Sequence, residues 1–66
     1  MELYQARVII ERDELSEKSK KLFAFRQSEQ FTLLPPRDQH LLTEQQNAME
    51  LYENILTARL IRMGLE

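Results

Sequence analysis

Glu11, Lys18, Gln45 and Arg59 stand where an interior stripe of a helix would place apolar side chains. Each falls in a run with steps of four and three, the spacing that gathers residues on one helical face. Tyr4, Val8, Glu11, Leu15, Lys18, Leu22 and Phe25 make the first run, and Leu42, Gln45, Met49, Tyr52, Leu56, Arg59 and Met63 the second. If the two runs face one another antiparallel, Glu11 lies opposite the Arg59 region. An ion pair there selects one alignment of the helices at little net gain in stability. The same groups, joined by Arg7, can instead form a polar pocket for a small anion, with cations for phosphate and tyrosine rings for stacking. The spacing supports both readings.

Other chemistry finds few residues to work with. His40 has no second histidine or carboxylate at ligand spacing, so solvation or capping is expected rather than metal binding or general base catalysis. Cysteine is absent, which removes thiolate nucleophiles, thiolate metal sites and disulfides. One glycine is too few for a loop that cradles phosphate, and no nucleophile stands at a recognisable distance from a base. The expectation is therefore no catalysis, no cofactor and no metal. The "KSKK" run at 18 to 21 reads as a solvated face whose aliphatic stems cover apolar surface, ahead of phosphate binding. Met49 and Met63 read as core filler.

These residues must be carried by long helices. The first run predicts a helix over about residues 3–27, widened by Ala6, Ile9 and Phe23 and supported on its outer face by the pairs Glu14 with Lys18 and Glu17 with Lys21. The second predicts a helix over about 36–63, ended by Gly64 and favoured electrostatically by Arg59 and Arg62 in its last turns. Between them lies a corner over about 28–35. Proline after Leu34 and again after Pro35 enforces extended backbone, Pro36 suits the first helical position, and Ser28 can cap a short turn. Phe31, Leu33 and Leu34 are expected to fold back over the open end of the pair. The fold class is thus all-α, an antiparallel two-helix hairpin with a Pro-Pro corner.

At 66 residues, a single domain buries too small a share of its surface to be comfortably stable alone. Ala48, Leu51, Ile55 and Ala58 form a second apolar face on helix two, more than one neighbour can cover. A second copy on a two-fold axis would complete a four-helix bundle, so a homodimer or higher oligomer is expected. The net charge of −2 argues against nucleic acid as the main partner. It is divided unevenly: residues 1–27 hold six cations against five carboxylates, residues 28–66 three against six. No apolar run approaches the length of a signal peptide's core or a membrane span, and a cytoplasmic protein is expected.

The pattern resembles a known family. Arg7-Val8, Glu14-Leu15, Lys21-Leu22 and Phe25, then Gln45, Met49, Tyr52, Ile55, Leu56 and Arg59 in "QQNAMELYENILTAR", are similar to the small helical-hairpin proteins of tailed phages and prophages first named from crAss-like phages. The double proline departs from the looser corner of that family. The resemblance implies an accessory protein in the cytoplasm of an infected bacterial host, acting by stoichiometric binding to a host or defence protein. An alternative of a different class is an oligomeric sponge for a cyclic-nucleotide immune signal, using Tyr4, Arg7, Arg12, Lys18 or Arg59 for phosphate and aromatic rings for stacking. A third is a structural or assembly module with no ligand.

Overall fold

A computed structural model describes residues 2–66. Three helices follow in order: α1 over Leu3–Arg26, the single turn α2 over Glu29–Thr32, and α3 over Pro36–Arg62. The long helices pack antiparallel into a rod of 46 × 15 × 14 Å. No strand occurs among the described residues.

Local chemistry sets each boundary. The Glu2 N–H donates to Gln5 Oε1 at 2.9 Å and opens α1, satisfying one donor that the first helical turn leaves free. Ser28 begins α2 with extended backbone, but its hydroxyl donates backward to the Phe25 carbonyl at 2.6 Å instead of capping the turn. Pro35 and Pro36 then start α3, with the N–H groups of Asp38 and Gln39 bonded to the Pro35 carbonyl. Gly64 has φ +77°, the left-handed geometry that glycine adopts without steric cost. Its N–H bonds the Ile61 carbonyl while Leu65 N–H reaches back to Leu60, a paired closure that turns Leu65 onto the core.

The corner is closed mainly by Phe31, which meets Phe25 edge to face at 6.2 Å and 87°. The Gln39 amide donates to the Leu34 carbonyl at 2.8 Å, tying the extended segment to the first turn of α3. Phe31 and Leu34 are half-buried as expected, whereas Leu33 points outward at 82% exposure. Leu33 follows a single helical turn whose inner side Phe31 already occupies, so no room remains for it.

Which side of each helix faces the other differs from the expectation by one residue. The inward positions are Gln5, Val8, Arg12, Leu15, Ser19, Leu22 and Arg26 on α1, and Leu42, Gln46, Met49, Glu53, Leu56, Leu60 and Met63 on α3. Both runs keep the four-three alternation. They share Val8, Leu15, Leu22, Leu42, Met49, Leu56 and Met63 with the expected stripes. Tyr4, Glu11, Lys18 and Phe25 give way to their C-terminal neighbours, as do Gln45, Tyr52 and Arg59. Rotation toward Leu60 buries a second complete leucine beside Leu56, and the small Ser19 lets the helices close where Lys18 would hold them apart.

The core lies toward the free end of the hairpin. Val8, Leu56 and Leu60 are 5%, 0% and 0% exposed, and Ile9, Leu15, Met63 and Leu65 pack against them. The Glu11 to Arg59 pair is not formed. Both residues are exposed, and the ion pairs among the described residues join Arg12 to Asp13 at 3.0 Å and Arg12 to Glu66. The expected pairs of Glu14 with Lys18 and Glu17 with Lys21 are likewise open. Leu60→Ala should therefore cost about 2–5 kcal/mol by leaving a core cavity, whereas Arg59→Ala should change stability by less than about 0.5 kcal/mol. Urea melts of the two variants measure the difference, and equal losses would contradict this rotation of α3.

Candidate functional site

Two lateral faces flank the seam, and they differ in chemistry. On one flank stand the positions that precede the seam residues: Tyr4, Glu11, Lys18 and Phe25 on α1, and Gln45, Tyr52 and Arg59 on α3. Antiparallel pairing of right-handed helices sets both rows on the same side of the rod. Arg7 lies farther round on that side of α1, and Ala48 and Ile55 farther round on α3, with Leu51 and Ala58 behind them. Tyr4, Arg7, Glu11, Lys18, Tyr52 and Arg59 are all exposed, and so are Ala48, Leu51, Ile55 and Ala58. The polar set is thus a surface feature and not an interior pocket. It adjoins the apolar ridge of α3, so the two groups of residues form one continuous side, which carries three aromatic rings and three cations.

The other flank holds a cleft of about 290 Å³ between α1 and α3. Ser16, Ser19, Lys20 and Phe23 line it from α1, and Gln46, Glu50 and Glu53 from α3. Its deepest residue is Gln46, 2% exposed. The two hydrogens of the Gln46 amide face the Ser19 carbonyl at 3.1 Å and the Ser19 hydroxyl at 2.7 Å across the seam, while Glu50 Oε1 lies 3.4 Å from the same nitrogen along its own helix. Sequence reasoning missed this group. Gln45 and Gln46 are the same residue type in adjacent positions, and only the rotation of α3 decides which one is buried. Ser19, within the run read as a solvated face, is buried too, while Lys18, Lys20 and Lys21 remain outside.

Charge is unevenly satisfied along the rod. Arg12 is held above its ordinary range by its hydrogen bond to Glu66 and then by that to Asp13, so it stays cationic at any physiological pH. Arg26, at the inward position nearest the corner, has a buried Nε with no hydrogen-bond acceptor. His40 is exposed, and no group of three or more histidines, cysteines or carboxylates is placed to hold a metal among the described residues. Among the described residues, no helix is long and apolar enough to cross a membrane.

A family profile described as Sequestin matches residues 2–62, which spans both long helices and the corner. The chain belongs to the Sequestin family. Comparison with curated proteins and with solved structures found no match. The matched segment includes the residues of both lateral faces.

The cross-seam bond gives a direct test of this geometry. Ser19→Ala removes the shorter partner of a buried amide and should cost about 1 kcal/mol. Ser16→Ala, at a less buried position on the same flank, should stay within about 0.5 kcal/mol of the parent. Thermal melts of both proteins compare them, and indistinguishable transitions would show that Ser19 does not hold Gln46.

Proposed function

We propose that this chain is a non-enzymatic binding protein that works by sequestration, holding a phosphate-bearing nucleotide signal between paired hairpins. The observation that carries the reading is the exposed side on which Tyr4 and Tyr52 stand near Arg7 and Arg59, with Lys18 and Phe25 farther along the rod. Rings offer stacking to a base, and cations offer charge-assisted hydrogen bonds to phosphate. The family description, Sequestin, fits a protein that withholds a ligand and leaves it unaltered. In this reading the signal is a cyclic nucleotide of bacterial immunity. The protein is then a phage-encoded counter-defence factor acting in the cytoplasm of the infected host.

The partner that completes the site is a second copy. The chain exposes 5109 Å², whereas a compact protein of its mass exposes about 4400 Å². The excess of about 700 Å² follows from the 46 × 15 × 14 Å rod and leaves long lateral faces that a second copy can cover. Leu51 and Ile55 supply apolar area beside the aromatic row, and a two-fold axis would bring two copies of Arg59 around one anion.

A second reading rests on the same ridge. Leu41, Ala48, Leu51 and Ile55 recur along one face of α3, and such a face also suits the groove of a host or defence protein, which this chain would block stoichiometrically. The measurement that separates the readings uses the purified protein and a panel of cyclic dinucleotides. Light scattering should give a particle of twice the 7.9 kDa chain mass. Ultrafiltration should retain the nucleotide with the protein, and heat denaturation should return it chemically intact. Arg59→Ala should weaken retention about tenfold with the melt unchanged, a loss of roughly 1.4 kcal/mol. A cleaved product, or a monomer that retains nothing, would defeat sequestration.

A further inference from the structure

One face of α3 outside the seam repeats the seam's own spacing. Leu41, Gln45, Ala48, Tyr52, Ile55, Arg59 and Arg62 follow steps of four and three, and all seven are exposed. From Leu41 to Ile55, about 21 Å of helix, this stripe carries no charge. Leu41 and Ile55 leave 58% and 49% of their surface to solvent, and Ala48 between them is small enough to let another helix come close.

Two features select another copy of the same stripe as its cover. The Gln45 amide finds only the Met49 sulfur, at 4.0 Å. An amide both donates and accepts, so two Gln45 side chains facing one another across a two-fold axis satisfy each other, and a polar residue at one contact position fixes register. The far end of the stripe is cationic. Arg59 and Arg62 join no ion pair among the described residues. With Ser19 level with Gln46, Arg7 stands level with Ala58 and adds a third cation, whereas Glu11 and Glu14 lie level with residues 54 and 51, more than a turn from Arg59. Copies laid parallel bring two Arg59 and two Arg62 together, a repulsion that an anion between them relieves. The opposite direction, centred on Ala48, would carry Arg59 about 33 Å from its copy, too far for one small anion to span. We propose that the protein pairs through this stripe with its two α3 helices parallel, and that the anion held between the arginines clasps the pair. The inference rests on the sequestration reading and adds to it how the ligand governs assembly. The empty pair is loosened by its own arginines, and pairing and anion binding strengthen each other by the same factor.

Sedimentation of the full chain at one ionic strength, set by sodium chloride alone or partly by inorganic pyrophosphate, tests the clasp. Pyrophosphate should lower the dimer dissociation constant about tenfold, the scale of one added charge-assisted hydrogen bond. Arg59→Leu removes the repulsion and extends the apolar stripe, so it should pair at least about tenfold more tightly in chloride and ignore pyrophosphate. Direction is read by disulfide trapping, which the absence of native cysteine leaves clean. Ile55→Cys chains should link to one another on mild oxidation, and Glu50→Cys chains, on the cleft flank, should not. Linking only in a mixture of Ile55→Cys with Leu41→Cys would mean antiparallel helices and overturn the proposal, as would equal pairing in the two salts or no gain in Arg59→Leu. If the pairing fails while cyclic dinucleotide retention still depends on Arg59, sequestration stands without the clasp. If pyrophosphate closes the pair and no nucleotide is retained, the clasp stands and the sequestration reading falls.

Discussion

The amide of Gln46, donated across the seam to Ser19, fixes both the rotation and the register of the long helices. The apolar core is concentrated toward the terminal end of the rod, where Val8, Leu56 and Leu60 meet. Toward the corner the inward positions become mixed, with Ser19, Gln46 and Arg26 alternating with Leu22 and Leu42. Apolar contact alone would leave that half free to slide or turn, since dispersion and area burial have little directional preference. A buried hydrogen bond with a defined partner supplies the direction. At the opposite end, the closure at Gly64 sends the chain back so that Glu66 meets Arg12.

That rotation decides what the surface carries. Because Ser19 and Leu60 face inward, Lys18 and Arg59 face sideways, and Tyr4, Phe25 and Tyr52 follow them. The same turn opens the opposite flank, where the short side chains of Ser16 and Ser19 leave the space that Phe23 and Glu50 border. One choice of helix rotation thus creates an aromatic and cationic side together with an acceptor-rich cleft. The placement of both follows from a seam that has too few large apolar residues to fill it.

Much of this architecture is legible in the residues. The four-three spacing, the prolines at 35 and 36 and the glycine at 64 are enough to mark two helices, a corner and a stop, and the observed ends fall within a residue of the expected ones. Ser19 facing Gln46 shifts the register by more than one helical turn from the one that would set Glu11 opposite Arg59. The rotation was hidden because seven of the fourteen stripe positions belong to both alternatives. The remaining choice sets Tyr4, Phe25 and Tyr52 against Gln5, Arg26 and Glu53, and hydropathy favours the wrong side. What outweighs it is shape: two helices in close contact accept serine and leucine more easily than aromatic rings, and rings left outside remain free for another surface. Leu33 was hidden for a related reason, since a single turn offers one inner position and Phe31 has taken it.

The double proline also limits how copies of the chain can associate. Pro36 has no N–H to continue a helix backward, and each proline forces the residue before it into extended backbone. The segment from α2 into α3 therefore cannot straighten into one continuous rod. Exchange of a long helix between two chains through one unbroken helical rod would require that straightening. Any assembly in which two chains share one unbroken helix through residues 33–36 is therefore closed to this sequence.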